Sequence, residues 1–194
     1  ELGNTGFSSE GWNYYNGTTG DRAYIIDAQP KNTMWFMDAN CSGVGDDVSG
    51  SGKMMGLSAS YVKNVAFWSQ EVNIDKGTDY SISLKATQLG NYDSVPVEIE
   101  FYVNNMPTGI RGTISTVGCT WNKISGTWYS GELLGPVKLS IRVFNYNGGI
   151  KYIGIDDIKL TLAKNGRLSE TAMTSYKWIG PLADISKMKP ASNF

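Results

Sequence analysis

Carboxylates and aromatic rings are the side chains best placed to do chemistry in this 194-residue chain, because it contains no histidine. Without imidazole there is no Ser-His-Asp or Cys-His nucleophile pair, no His-ligated zinc and no His general base. Paired carboxylates remain. Glu98 and Glu100 fall on one face of an alternating run, with Cβ atoms roughly 7 Å apart, the kind of spacing that two-carboxylate glycoside hydrolysis uses. The same spacing is the ordinary appearance of a solvated strand face, and the chain is read as non-catalytic. Asp156 and Asp157 stand side by side near the end of the regular part of the chain. Calcium takes six to eight hard oxygens, so two adjacent carboxylates beside irregular backbone are a nucleus for it, or else simply turn or edge residues bonded to neighbouring amides. Asp38, Asp46 and Asp47 form a second acidic group, but their spacing lacks the closing acid of an EF-hand loop.

The aromatics suggest a different chemistry, stacking against the apolar face of a sugar ring while neighbouring amides and acids bond its hydroxyls. Tyr102 is expected on the wet face beside Glu98 and Glu100, and Phe144 on the wet face beside Arg142, with Tyr146 in the adjoining turn. Trp12 opens the chain beside Asn13, and Trp35 opens a long loop; loop-tip aromatics with polar neighbours suit a ligand rim. Trp35 serves equally as a core plug beneath that loop. Trp68, beside Phe67, and Trp121, just after Cys119, read as core.

Period-two patterning indicates the elements that must carry these groups. Tyr80, Ile82, Leu84 and Ala86 alternate with polar residues, as do Val97, Ile99, Phe101 and Val103, and again Val137, Leu139, Ile141 and Val143. Each run predicts a strand with one core face and one wet face. Further strands are expected over 22–28, 54–60, 65–74, 109–115, 121–129 and 151–162, separated by turn formers such as Asn104-Asn105-Met106-Pro107. Nine or ten strands without an amphipathic helix predict an all-β, antiparallel two-sheet β-sandwich over residues 1–163. In the 151–162 run, Ile153 and Ile155 share one parity while Ile158, Leu160 and Leu162 share the other, so a one-residue bulge is expected at Asp156-Asp157. Residues 29–53 carry no periodicity and read as a long loop. Residues 164–194 read as a C-terminal extension that docks, links or pairs with a partner chain.

The totals exclude some partners. There are 17 Lys+Arg against 18 Asp+Glu, which gives no basic footprint for nucleic acid. No stretch approaches the ~20 apolar residues that span a bilayer, so no membrane insertion is expected. Cys41 and Cys119 are the only cysteines. They pair as one disulfide in an extracellular protein, or remain two buried thiols in the cytosol. Residue 1 is Glu, from which the chain is read as processed or trimmed.

Three segments together resemble a known family: "NTGFSSEGW" (Asn4 to Trp12), "GSGKMMGLSAS" continuing through "VAFWSQEVNIDKGTDYSISLKA" (Gly50 to Ala86), and "CTWNKISGTWYSG" (Cys119 to Gly131) followed by "YIGIDDIKL" (Tyr152 to Leu160). They resemble the galactose-binding-like jelly rolls of bacterial secreted and surface proteins, relatives of carbohydrate-binding modules, over roughly residues 4–162. The resemblance implies eight to ten strands, an extracellular or cell-surface location, no catalysis, and often a structural calcium where the first and last strands meet. Asp156 and Asp157 match its closing motif; Ser8 stands where an acidic residue is usual, leaving Glu10 or a backbone carbonyl to complete the ion's shell. The expected function is glycan binding or adhesion through Tyr102, Phe144, Tyr146, Trp35 and Trp12. The competing expectation is a structural subunit of an extracellular or viral assembly that engages neighbouring chains through 164–194.

Overall fold

A computed structural model describes residues 8–9, 12–15, 22–27, 54–59, 63–90, 95–146, 151–164 and 166–167. They form ten strands: β1 (Asn13–Tyr14), β2 (Arg22–Asp27), β3 (Met54–Ala59), β4 (Lys63–Ile74), β5 (Asp79–Gln88), β6 (Glu98–Val103), β7 (Met106–Thr113), β8 (Asn122–Tyr129), β9 (Gly135–Asn145) and β10 (Lys151–Leu162). One sheet has six strands in the order β1-β2-β3-β10-β5-β8, the other four in the order β4-β9-β6-β7. All pairings are antiparallel except the two-residue β1, which runs parallel to β2 and is too short to leave a periodic signal. No helix among the described residues is long and apolar enough to cross a membrane.

The sandwich core draws on both sheets, with Phe67, Ile82, Leu84, Ile99, Phe101, Ile141, Val143, Ile153 and Ile155 all buried in one cluster. Each such side chain contributes roughly 1.5–3 kcal/mol on leaving water. A smaller cluster of Tyr15, Ala23, Ile25, Met54, Leu89 and Tyr152 covers the other face of the six-stranded sheet, with Trp121 half-buried against it. The central strands of that sheet are therefore shielded on both sides.

The bulge lies where the parity switch requires it. On β10, Asp156 pairs with Lys85 and Lys159 with Ser83, so three steps on one strand match two on the other. Asp157 takes the extra place at φ 53, a left-handed conformation that aspartate tolerates better than most side chains. Its amide donates to Asp156 Oδ1 at 2.7 Å. As a result Ile153, Ile155 and Leu160 all belong to the same core.

Two glycines set how closely the edges of the sheets approach. A Cβ on Gly112 of β7 would lie 2.7 Å from Ile124 Cγ1 and Cγ2 of β8, and one on Gly126 of β8 would lie 2.8 Å from Ile110 Cγ1 of β7. Each strand thus offers a glycine to the other's isoleucine. Gly112→Ala is expected to cost about 1–3 kcal/mol by overpacking against a stiff β-branched side chain, and to lower the melting midpoint by roughly 2–12 °C. Ile124→Val beside it should restore part of the loss. Additive losses in the double mutant would show that the two sites do not pack against each other.

Asp79, at the start of β5, anchors the chain beyond β10. Its backbone N–H donates to Arg167 O at 2.7 Å, and its carboxylate accepts from Arg167 N at 2.7 Å, Nε at 3.0 Å and Nη2 at 3.0 Å. The guanidinium also lies over Tyr129, 3.7 Å from the ring centroid. These bonds to Arg167 hold the Asp79 carboxyl below the usual aspartate range. A depressed carboxyl stabilises the fold above its unfolded pKa, and that contribution is lost as pH falls through the folded value. Arg167→Ala should therefore lower the melting midpoint at neutral pH, with the difference from wild type shrinking below about pH 4. A difference that stays constant into acid would contradict this role.

Candidate functional site

On the outward face of the four-stranded sheet, polar and aromatic groups are joined in one set of contacts. Its registers place them in cross-strand rows. Ser69, Ser140, Tyr102 and Pro107 make one row from β4 to β7; Ala66, Arg142, Glu100 and Arg111 make the next. Side chains facing each other across neighbouring strands are close enough to interact.

Glu100 organises the face. Only 3% of its surface is exposed, so its carboxylate needs partners. Tyr102 Oη donates to Glu100 Oε2 at 2.9 Å, and Arg111 Nη2 approaches Oε1 at 3.4 Å. Burial, and then the bond to Glu100, push the Tyr102 hydroxyl above the usual tyrosine range, which keeps it a donor. Arg142 lies with Cζ 4.3 Å from the Tyr102 ring centroid, and Arg111 with Cζ 3.6 Å from that of Phe144. Arg142 is held by Nη1 to Asn64 Oδ1 at 3.2 Å and by Nη2 to Asn105 Oδ1 at 2.6 Å.

Local sequence explains these placements. Asn104 and Asn105 adopt φ 48 and 65, a left-handed pair suited to a tight hairpin between β6 and β7. That turn sets the Asn105 amide against Arg142. Beyond it, Glu100 pairs with Arg111 but Tyr102 with Pro107, a register shift that takes in Gly109 at φ 78. Thr108 Oγ1 closes the irregularity by donating to Phe101 O at 2.9 Å and accepting from Ile110 N at 3.1 Å.

Several expectations from the sequence need correction. Tyr102 points away from the core as its parity requires, yet only 5% of it is exposed, because Arg142 lies over its ring. Glu100 likewise belongs to a buried network and not to a solvated face. Phe144 is half-buried under Arg111. Tyr146, at 1% exposure, and Trp12, at 4%, lie in the main core, Trp12 edge-on to Phe67 at 6.2 Å between centroids. Trp121, expected in the core, is half-buried against the smaller cluster, whereas Trp68 is in the main core. Trp35, Cys41 and Glu10 lie outside the described residues. Arg111 and Asn64 carry no local signal in the sequence, and Asn105 reads there only as a turn former. Their cross-strand partners become visible only once the registers are known.

At the β10 bulge, the Asp157 carboxylate is paired with Lys159 and, at 3.8 Å, with Lys85. Two ammonium groups already balance it. Among the described residues, no three acidic, histidine or cysteine side chains gather as a metal site.

The sequence matches no protein-family model and no curated protein. Among solved structures it is similar to the CBM22-1 xylan-binding domain of Paenibacillus barcinonensis Xyn10C, at 13% identity and TM-score 0.51, over 84% of this chain and 90% of that one. It is similar also to the tandem CBM22-1-CBM22-2 domains of the same protein, at 14% identity and TM-score 0.51, over 84% of this chain and 42% of that one. Likeness at this identity concerns the fold alone: the chain is an all-β two-sheet sandwich, and its fold is similar to that of this xylan-binding domain.

Proposed function

We propose that the chain is a non-catalytic glycan-binding module of a secreted or cell-surface protein, with its site on the outward face of the four-stranded sheet. The observation that carries this reading is the network of Glu100, Tyr102, Arg111, Arg142, Asn64 and Asn105 on one sheet face. Sugar hydroxyls both donate and accept, so a site for them needs carboxylate and amide oxygens beside N–H donors, held in fixed positions. This face offers N–H donors at Arg111 and carboxylates at Glu98 and Glu71, around a buried network that holds Arg111 and Arg142 in place. The xylan-binding domain of similar fold supports the reading by analogy of fold alone.

The corrected burial alters the expected contacts. Stacking on open rings gives way to polar recognition by the arginines and amides in front of Tyr102 and Phe144. Arg142→Ala, which removes a guanidinium and two amide contacts, is expected to weaken polysaccharide retention about tenfold in affinity electrophoresis; that corresponds to ~1.4 kcal/mol. Lys123→Ala, on the exposed part of β8 in the other sheet, should leave retention unchanged. Absence of retention by every polysaccharide in a broad panel, with the wild-type fold verified by circular dichroism, would refute the reading.

The reading includes a Cys41–Cys119 bridge, supported by the absence of a free thiol at Cys119. Such a bridge closes a loop of about 79 residues, for which chain entropy gives at most ~4.5 kcal/mol. Calcium at Asp156, Asp157 and Glu10 would have to compete with the two lysines on Asp157. One melting series addresses both. Reductant should lower the midpoint markedly, whereas chelator should leave it unchanged; a midpoint raised by added calcium would instead show a native-state ion site.

A further inference from the structure

Resting on the reading above, we propose that the face selects polysaccharides bearing isolated carboxylate groups, as on uronic acid substituents, with Arg111 as the carboxylate-binding residue and Arg142 as its support. Neutral sugars stack on open aromatic faces, but both outward rings here are covered by guanidinium groups, 4.3 Å over Tyr102 and 3.6 Å over Phe144. Uncovering either ring forfeits a cation–π contact, and uncovering Tyr102 also breaks the Arg142 bonds to Asn64 and Asn105. A guanidinium over a ring meets the π face without spending its N–H donors, and two of these donors can bind a carboxylate through parallel hydrogen bonds.

The two arginines divide the work. Arg142 is committed to two asparagine amides and lies half-buried. The Arg111 side chain is 43% exposed, and its contact to Glu100 is long at 3.4 Å. Of its five N–H donors only one is used in that contact. Arg111 is therefore the group free to take an anion.

Charge on the rest of the face limits the density of anions. Among the described side chains, Arg111, Arg142 and Lys138 stand with Glu71, Glu98 and Glu100 on the same outward parity, three cations beside three anions. One carboxylate meeting Arg111 is accommodated. A dense polyanion meets Glu98 and Glu71 as well, and like charges oppose it.

The test compares, in one affinity-electrophoresis or calorimetric series, a neutral polysaccharide carrying sparse uronate substituents and the same polymer after carboxyl reduction. Polygalacturonate and dextran sulfate are included as dense carboxylate and sulfate polyanions. Expected is binding to the sparse uronate polymer, weakened at least tenfold by carboxyl reduction and by raised salt, with weaker binding to both polyanions. Arg111→Ala should abolish the preference for the unreduced polymer, and Arg111→Lys, which keeps charge but loses the fork, should recover only part of it. Melting curves establish that both variants are folded, and the carboxyl-reduction comparison needs no variant at all. Equal binding before and after reduction, or a preference that survives Arg111→Ala, overturns the carboxylate assignment and leaves glycan binding standing. Tighter binding to either polyanion overturns the restriction to isolated groups. No binding to any of the polymers overturns the glycan reading itself.

Discussion

A strand that crosses the middle of a sandwich can keep one face in the core only if its side-chain parity is corrected wherever its hydrophobic pattern shifts. In this protein β10 carries that requirement. It lies between β3 and β5, and its pattern changes phase at Asp156-Asp157. Without the extra residue there, either Ile153 and Ile155 or Leu160 would turn away from the core, since a slip of one residue reverses every later side chain. The left-handed Asp157 absorbs the change, while Lys85 and Lys159 compensate its charge. The carboxylate pair that looked chemical in the sequence is thus tied to keeping β5 and β3 on a common core.

The four-stranded sheet meets a comparable constraint on its outward side. A carboxylate as buried as Glu100 costs several kcal/mol unless it is paired, and the Tyr102 hydroxyl and Arg111 supply the pairing. The network fixes Tyr102 as a hydrogen-bond donor, while the two guanidinium groups lie over Tyr102 and Phe144. Aromatic rings that would form a stacking platform if open serve instead as supports for cations. What this face presents to a ligand follows from electrostatic satisfaction more than from apolar area.

Much of the architecture was legible in the sequence because it rests on short-range alternation. The runs at Ile82, Ile99 and Ile141 located their strands, and the parity break at Asp156-Asp157 located the bulge. Parity also sent Tyr102 outward correctly. It does not say what covers an outward residue, since that depends on which strands are neighbours and in what register. Arg142 reaches Tyr102 across the β6–β9 pairing, and Arg111 reaches Phe144 across β6. Tyr146 and Trp12 lie at the margins of strands, where alternation gives no direction, and both are buried in the core. The reciprocal fit of Gly112 with Ile124 and Gly126 with Ile110 spans two sheets, and the Arg167–Asp79 anchor joins residues 88 positions apart. Neither leaves a local trace.

Under the proposed function, ligand meets guanidinium groups on the four-stranded sheet. Arginine-resolved NMR reports this directly, by following the Nε–Hε resonances and backbone amides during titration with a soluble acidic oligosaccharide. The Arg111 side-chain resonance is expected to move first and furthest, together with amides of β6, β7 and β9, while those of β2 and β3 stay in place. Shifts confined to the outward face of the six-stranded sheet, around Tyr15, Ile25 and Tyr152, with Arg111 and Arg142 unmoved, would contradict it.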